Sequence, residues 1–299
     1  MRAGIVILPE YRWRDAEPKW RAAEEYGFDH AWTFDHLGWS SLVDGPWFGT
    51  VPTLTAAALA TSRIELGTLV ASPNFRHPVS FIRELTALDD MSNGRFTLGV
   101  GAGGVGEGDY DTTVFGPSRG VARRGTRFRE FVELLDALLT SDTVTSEGEF
   151  YTAVNAHSAP GCVQRPRMPF VVAANGPRAM RIAARFGQGW ITTGTPSETL
   201  EQWWESIAQA AHRFDEALGE QGRRDVRRFV QTDAAPVYSL SSVECYREFL
   251  GRAGELGFTD VVAPWPRREG VFAGSERVLE AVAADVLPDL HTQSDVRRP

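Results

Sequence analysis

Lysine is almost missing from this chain: Lys19 is the only one, and arginine supplies the remaining fixed positive charge. Acidic side chains exceed basic ones, 39 against 31, for a net charge of −8. That balance argues against a nucleic-acid binder, for which a broad basic face would be expected. Cysteine is nearly as scarce. Cys162 and Cys245 alone form neither a disulfide framework nor a metal-ligand spacing, and point to a reducing, cytoplasmic compartment. No apolar run approaches the roughly 18 residues that a membrane span needs, and the opening "RAGIVILP" reads as a strand rather than a signal peptide.

What is present is a rhythm. Apolar residues make up 42% of the chain, enough for a sizeable core, and they recur as short runs followed by amphipathic segments. "AGIVIL" (3–8) precedes "EPKWRAAEEYG" (17–27), and "HAWTFDH" (30–36) precedes "TVPTLTAAALA" (50–60). "IELGTLVAS" (64–72) precedes "PVSFIRELTALDDM" (78–91), and "RFTLGVGAG" (95–103) precedes "RFREFVELLDALLT" (127–140). In the second half "PFVVAANG" (169–176), "GWITTG" (189–194), "RRFVQTDAAP" (227–236) and "TDVVAPWP" (259–266) each lead into a helical pattern. Eight strand-then-helix units predict parallel strands with right-handed crossovers. They most simply close as a (β/α)8 TIM barrel, one domain over 1–299; an open doubly wound sheet is the alternative. Residues 37–49 and 141–168 exceed ordinary loop length. The second stretch reads as a hairpin or extended excursion, and 291–299 as a loose tail.

In such a barrel the strand ends converge on one mouth. They carry Asp35-His36, Leu69 to Ser72, Gly101 to Gly104, Asn175-Gly176, Thr192 to Gly194, Asp233 and Trp265. Glycines, small hydroxyls, one Asp-His pair and aromatics suit a flat ring with a phosphate nearby. His36 and His77 lack the paired carboxylates or thiolates of a metal site. "ANGPRAM" (174–180) places a turn before a helix, with Pro177 suited to the first helical position. The N–H groups of Arg178 and Ala179 could then hold a phosphate, although Asn-Gly also serves as a plain tight turn. "GVGAGG" (99–104) reads as a close backbone approach to a ligand or as a flexible loop. One of Asp35 and His36 faces the mouth, where histidine can pass a proton near neutral pH. Arg76-His77 opens a helix, with Arg76 placed to pair with Asp89 or Glu84. Trp39, Trp47, Phe48 and Trp265 suggest an apolar substrate pocket, and Trp190 suggests packing. Trp203-Trp204 would put one indole inward and one on an oligomer surface.

Three stretches taken together, "RIELGTLVASPNFRHP" (63–78), "LDDMSNGRFTLGVGAG" (88–103) and "MPFVVAANGPRAMRIAARFGQGWITTG" (168–194), resemble the luciferase-like monooxygenase superfamily. Its members are barrels that use FMN or the deazaflavin F420. The resemblance implies a non-prolyl cis peptide at Leu69–Val70 behind the cofactor ring, with Ala71 and Ser72 lining the pocket beside it. It implies Asp35 on the polar edge of the ring and His36 as the catalytic proton donor or acceptor. Ala102 and Gly103 would contact the ribityl and phosphate arm, and Asn175, Gly176, Arg178 and Ala179 the phosphate. Trp39, Thr193 and Trp265 would face the substrate, and a homodimer would be usual.

Two positions depart from the sugar-phosphate dehydrogenases of the F420 branch. Gly104 stands where they carry an acid, and Pro196 where they carry a phosphate-gripping lysine. Oxidation of a sugar phosphate is therefore not expected. The resemblance implies instead an F420-dependent oxidoreductase of a small-molecule or natural-product substrate, with hydride passing to an activated double bond. Arg119, Arg123, Arg124, Arg127 and Arg178 could meet the anionic tail of F420. The arginine-for-lysine usage of a GC-rich, actinobacterial genome tilts the same way. An FMN-dependent monooxygenase and a non-catalytic cofactor-binding homologue are the alternatives.

Overall fold

Residues 1–104, 109–115 and 123–290 are described by the computed structural model. Eight of its strands are parallel: β1 (Arg2–Val6), β2 (His30–Thr33), β3 (Glu65–Thr68), β4 (Phe96–Val100), β7 (Phe170–Ala173), β8 (Gly189–Thr192), β9 (Arg227–Gln231) and β10 (Asp260–Pro264). Two more, β5 (Thr143–Glu147) and β6 (Thr152–His157), form an antiparallel hairpin. The parallel strands close into a barrel in the order β1-β10-β9-β8-β7-β4-β3-β2, the (β/α)8 arrangement that the repeating units predict. Among the described residues no helix is long and apolar enough to cross a membrane.

Side chains fill the barrel in layers, as the fold requires. Val6, Trp32, Leu69, Val171, Ile191, Phe229 and Val262 form one buried interior cluster. At the N-terminal end of the strands the plug turns polar. Trp32 Nε1 donates to His30 Nδ1 at 2.6 Å, and His30 Nε2 lies 3.0 Å from Asp260 Oδ1. Two glycines make room for these rings: a Cβ on Gly4 would collide with His30, and one on Gly67 with Trp32. Bulk in the barrel thus comes from one strand where its neighbour has none.

The hairpin excursion follows the helix Arg124–Thr140 and runs back along it, so that Glu149 in its turn pairs with Arg123 just before the helix start. Glu130 accepts the Phe150 and Tyr151 N–H groups, and the Tyr151 ring packs against Phe131. Trp203 and Trp204 correct an expectation, because both are buried. Their helix, Leu200–Glu220, lies between neighbours, and both indoles meet Phe249 of the helix Val243–Glu255. Neither indole offers an oligomer surface. Trp190 packs as predicted, stacked on Phe214 with ring centroids 4.4 Å apart. The 291–299 tail and Arg119 lie outside the described residues.

Candidate active site

At the C-terminal ends of the strands the barrel opens into a cavity of about 900 Å³, in the size range of cofactor and small-molecule sites. Leu69 and Val70, joined by a cis peptide bond, form part of its wall together with Gly101 to Gly104. These glycines answer first to packing. A Cβ on Gly99 would collide with the Thr68 carbonyl oxygen, and one on Gly101 would lie 2.6 Å from Val70 Cγ2. Gly103 has φ +77°, and a Cβ there would run into Asn74. Asn74 ties this wall together, donating to the Gly104 carbonyl at 3.2 Å and accepting from Arg127 Nη2 at 2.6 Å.

His36 faces the cavity. Its Nδ1 lies 2.6 Å from Oδ2 of the buried Asp111, whose Oδ1 accepts the Leu37 N–H at 2.7 Å. An ionised carboxylate only accepts, so Nδ1 donates its hydrogen to Asp111 and Nε2 is the ring nitrogen left toward the cavity. Trp47 Nε1 donates to the His36 carbonyl at 2.7 Å, and the Phe34 ring meets the imidazole at 5.9 Å. Trp39 and Thr193 also line the space.

Asp35 does not reach the cavity. Successive side chains on extended backbone point to opposite faces; with His36 turned inward, Asp35 turns to Arg76, which binds it at 2.7 and 3.1 Å. Arg76 also reaches Glu84 at 3.0 Å and lies over the Phe81 ring. Asp89 is committed elsewhere, accepting the Val163 and Gln164 N–H groups. Ala71 and Ser72 are likewise behind the wall. Ala71 bridges to Val100, and Ser72 Oγ accepts the Asn74 N–H at 3.3 Å. Trp265 packs outside, stacked on Tyr26 with its Nε1 donating to Glu276 at 3.0 Å.

The phosphate candidate lies at the start of the helix Pro177–Phe186. Gly176 is its N-cap, no side chain caps it, and Gly176, Arg178 and Ala179 line the cavity. The first N–H groups of a helix have no intrahelical acceptor, and the helix dipole favours an anion there. Gly176 has ordinary φ, and a Cβ on it would meet no described residue within 4 Å. Neither backbone conformation nor packing among the described residues calls for glycine here, whereas a bound group in that space would. Asn175 lines the same space, but its side chain joins strand ends, accepting from Thr192 Oγ1 at 2.6 Å and donating to the Gly194 carbonyl at 3.3 Å. Of the arginines considered for an anionic tail, Arg123, Arg124 and Arg178 line the cavity, while Arg127 serves Asn74.

Asp233 has no role in the sequence reading beyond its place at a strand end. It lies in the 3-10 turn Thr232–Ala234 after β9 and lines the cavity, with Oδ1 shielded from water and without a partner among the described residues. Burial pushes its carboxyl up to about 7, against the pull of nearby backbone N–H groups and of His36. Asp111 left no signal in the sequence at all, because a carboxylate in a loop between strand and helix has no periodicity.

A family model for luciferase-like monooxygenases matches residues 1–261. The chain belongs to this family. Among its relatives is an F420-dependent glucose-6-phosphate dehydrogenase of Beutenbergia cavernae, 35% identical over 203 residues. That match spans 66% of this chain but only 58% of the relative. An uncharacterized Mycobacterium tuberculosis protein, Rv0953c, is 29% identical over 291 residues, spanning 90% of this chain and 93% of its own. The luciferase-like fold also superposes on the coenzyme F420-dependent tetrahydromethanopterin reductase of Methanopyrus kandleri. There the TM-score is 0.77 at 19% identity, covering 97% of this chain and 99% of that one.

Proposed function

We propose that the protein is an F420-dependent oxidoreductase that passes a hydride between the deazaflavin and a small-molecule or natural-product substrate, reducing an activated double bond. The observation that carries this reading is the shared cavity: His36, held by Asp111, faces the same space as an uncapped helix start whose Gly176 leaves room for a phosphate. The F420-dependent relatives support the choice of cofactor. When bound, F420 supplies or takes up the hydride. The helix start at Gly176 to Ala179 would hold its phosphate, Leu69 and Val70 would back its ring, and Ala102 and Gly103 would flank its arm. His36 Nε2 would exchange a proton with the substrate while Asp111 keeps the ring in place.

Gly104 brings no carboxylate to the wall, and Pro196 no cation, which supports a substrate other than a sugar phosphate. A homodimer is part of this reading on family resemblance alone. The test is consumption of reduced F420 with a panel of neutral enones. Turnover that His36→Ala abolishes supports the reading, and oxygen uptake with reduced FMN instead would move the protein to the monooxygenases.

A further inference from the structure

Beside the main cavity a second hollow of about 450 Å³ runs between the helices Arg124–Thr140 and Pro177–Phe186. Gly125, Arg178 and Ile182 line both spaces, so the two adjoin at the helix start proposed to hold the phosphate. Arg178, Arg181 and Arg185 stand along one wall of the hollow, all three exposed. Spacings of three and four residues set them in a row on one helix face, over about 10 Å. Arg129 stands on the opposite wall. Against these four arginines the hollow has one acid among the described residues, Glu133, 4.0 Å from Arg129 and 3.6 Å from Arg185. Arg178 and Arg181 have no acidic partner among the described residues. Within the chain this arrangement is unfavourable. Like charges three and four residues apart on a helix repel, and Arg178 lies in a first turn that holds no acid, where the helix dipole is already positive. A negative group in the hollow would relieve both.

We propose that this arginine row is a binding groove for the chain of glutamate carboxylates that F420 carries beyond its phosphate. The inference deepens the functional reading above and rests on it for the position of the phosphate. Continuity and charge carry it together. A chain leaving a phosphate held at Gly176 to Ala179 meets Arg178 first, then Arg181 and Arg185 in order along the helix. Arginine suits the task, because its planar fork takes a carboxylate at two points and stays charged at any physiological pH. Each contact is exposed and therefore weak alone. The tail, however, is tethered to a bound ring and phosphate, so its carboxylates arrive at high effective concentration and the contacts add in series. FMN ends at its phosphate and has nothing to offer the row.

The test compares two probes by fluorescence titration of the full chain: F420 with its glutamate tail, and F420 stripped of all glutamates. Wild type should bind the tailed form about tenfold more tightly at low ionic strength, the sum of two or three exposed ion pairs, and the advantage should shrink in high salt. The double variant Arg181→Gln, Arg185→Gln should lose most of that advantage while its affinity for the stripped form stays as in wild type. Glu133→Gln works in the opposite sense. It frees Arg129 and Arg185 from their acid, so it should tighten the tailed form about twofold or more and leave the stripped form unchanged. Equal binding of the two probes by wild type, an advantage that survives the double variant, or tailed binding that Glu133→Gln fails to tighten would each overturn the groove. The stripped probe keeps the two readings apart. If it binds and the tail adds nothing, the groove alone fails; if neither probe binds, the cofactor assignment fails and the groove with it.

Discussion

The 2.6 Å contact between His36 Nδ1 and Asp111 Oδ2 joins two segments 75 residues apart and decides which nitrogen of the imidazole faces the cavity. Asp111 is buried and also holds the Leu37 N–H, so it fixes both the backbone and the ring of the segment that follows β2.

His36→Ala should lower the turnover number with F420 by about 10² to 10⁴, the range for a positioned acid-base group, and leave F420 binding unchanged. Asp111→Asn should cost about tenfold, the scale of one charge-assisted hydrogen bond. It should also displace the pH-rate profile, since an amide no longer demands a hydrogen on Nδ1. Steady-state kinetics across pH distinguish the two variants.

Gly176 offers a cleaner separation of binding from folding. Because a Cβ there meets no described residue within 4 Å, Gly176→Val should leave the melting temperature nearly unchanged. It should weaken F420 about tenfold or more by filling the space at the helix start, as fluorescence titration would measure.

Arg76→Met should act on stability instead. It strands the Asp35 carboxylate in the interior, and removing one partner of a buried pair typically costs about 3–5 kcal/mol. Denaturant unfolding should show that loss. Arg76→Lys should recover only part of it, since lysine cannot reproduce the two-point contact.

The barrel, and His36 within it, were legible because they follow from periodicity: apolar runs of strand length alternating with amphipathic ones, and a histidine where a strand stops. Gly176 was legible for the same reason, as the turn between a run and a helix. Asp35 was not. It shares every local cue with His36, and only the opposite pointing of neighbouring side chains, together with Arg76 arriving from 41 residues away, sends it to the ion pair. The pair Trp203-Trp204 departs from expectation because adjacent helix residues lie about 100° apart, which separates inside from outside only for a helix covered on one face. The helix Leu200–Glu220 has Phe249 against both indoles. Ser72 and Trp265 sit at strand ends as expected, yet the chain beyond each strand turns them away from the mouth. Asp111 and Asp233 depend on contacts across the fold, which no local pattern encodes.

The N-terminal end of the barrel sets the acid limit of stability. Burial works against the charge on Asp260, but His30 and Arg227 outweigh it and hold the carboxyl well below the usual carboxylate range. A carboxylate depressed only in the folded state contributes stability that is fully present above its unfolded pKa of about 3.9 and is lost as pH falls toward the folded value. Wild-type melting temperature should therefore fall steeply below about pH 4. Asp260→Asn should be less stable at pH 7, by about 3–5 kcal/mol, with the gap narrowing in acid.

The most direct measurement is a pair of equilibrium titrations of the purified protein, one with F420 and one with FMN, each followed by ring fluorescence. Saturable binding of F420, weakened by Gly176→Val and absent with FMN, is the expected result. Binding of FMN alone, or of neither, would contradict the cofactor assignment on which the proposed function stands.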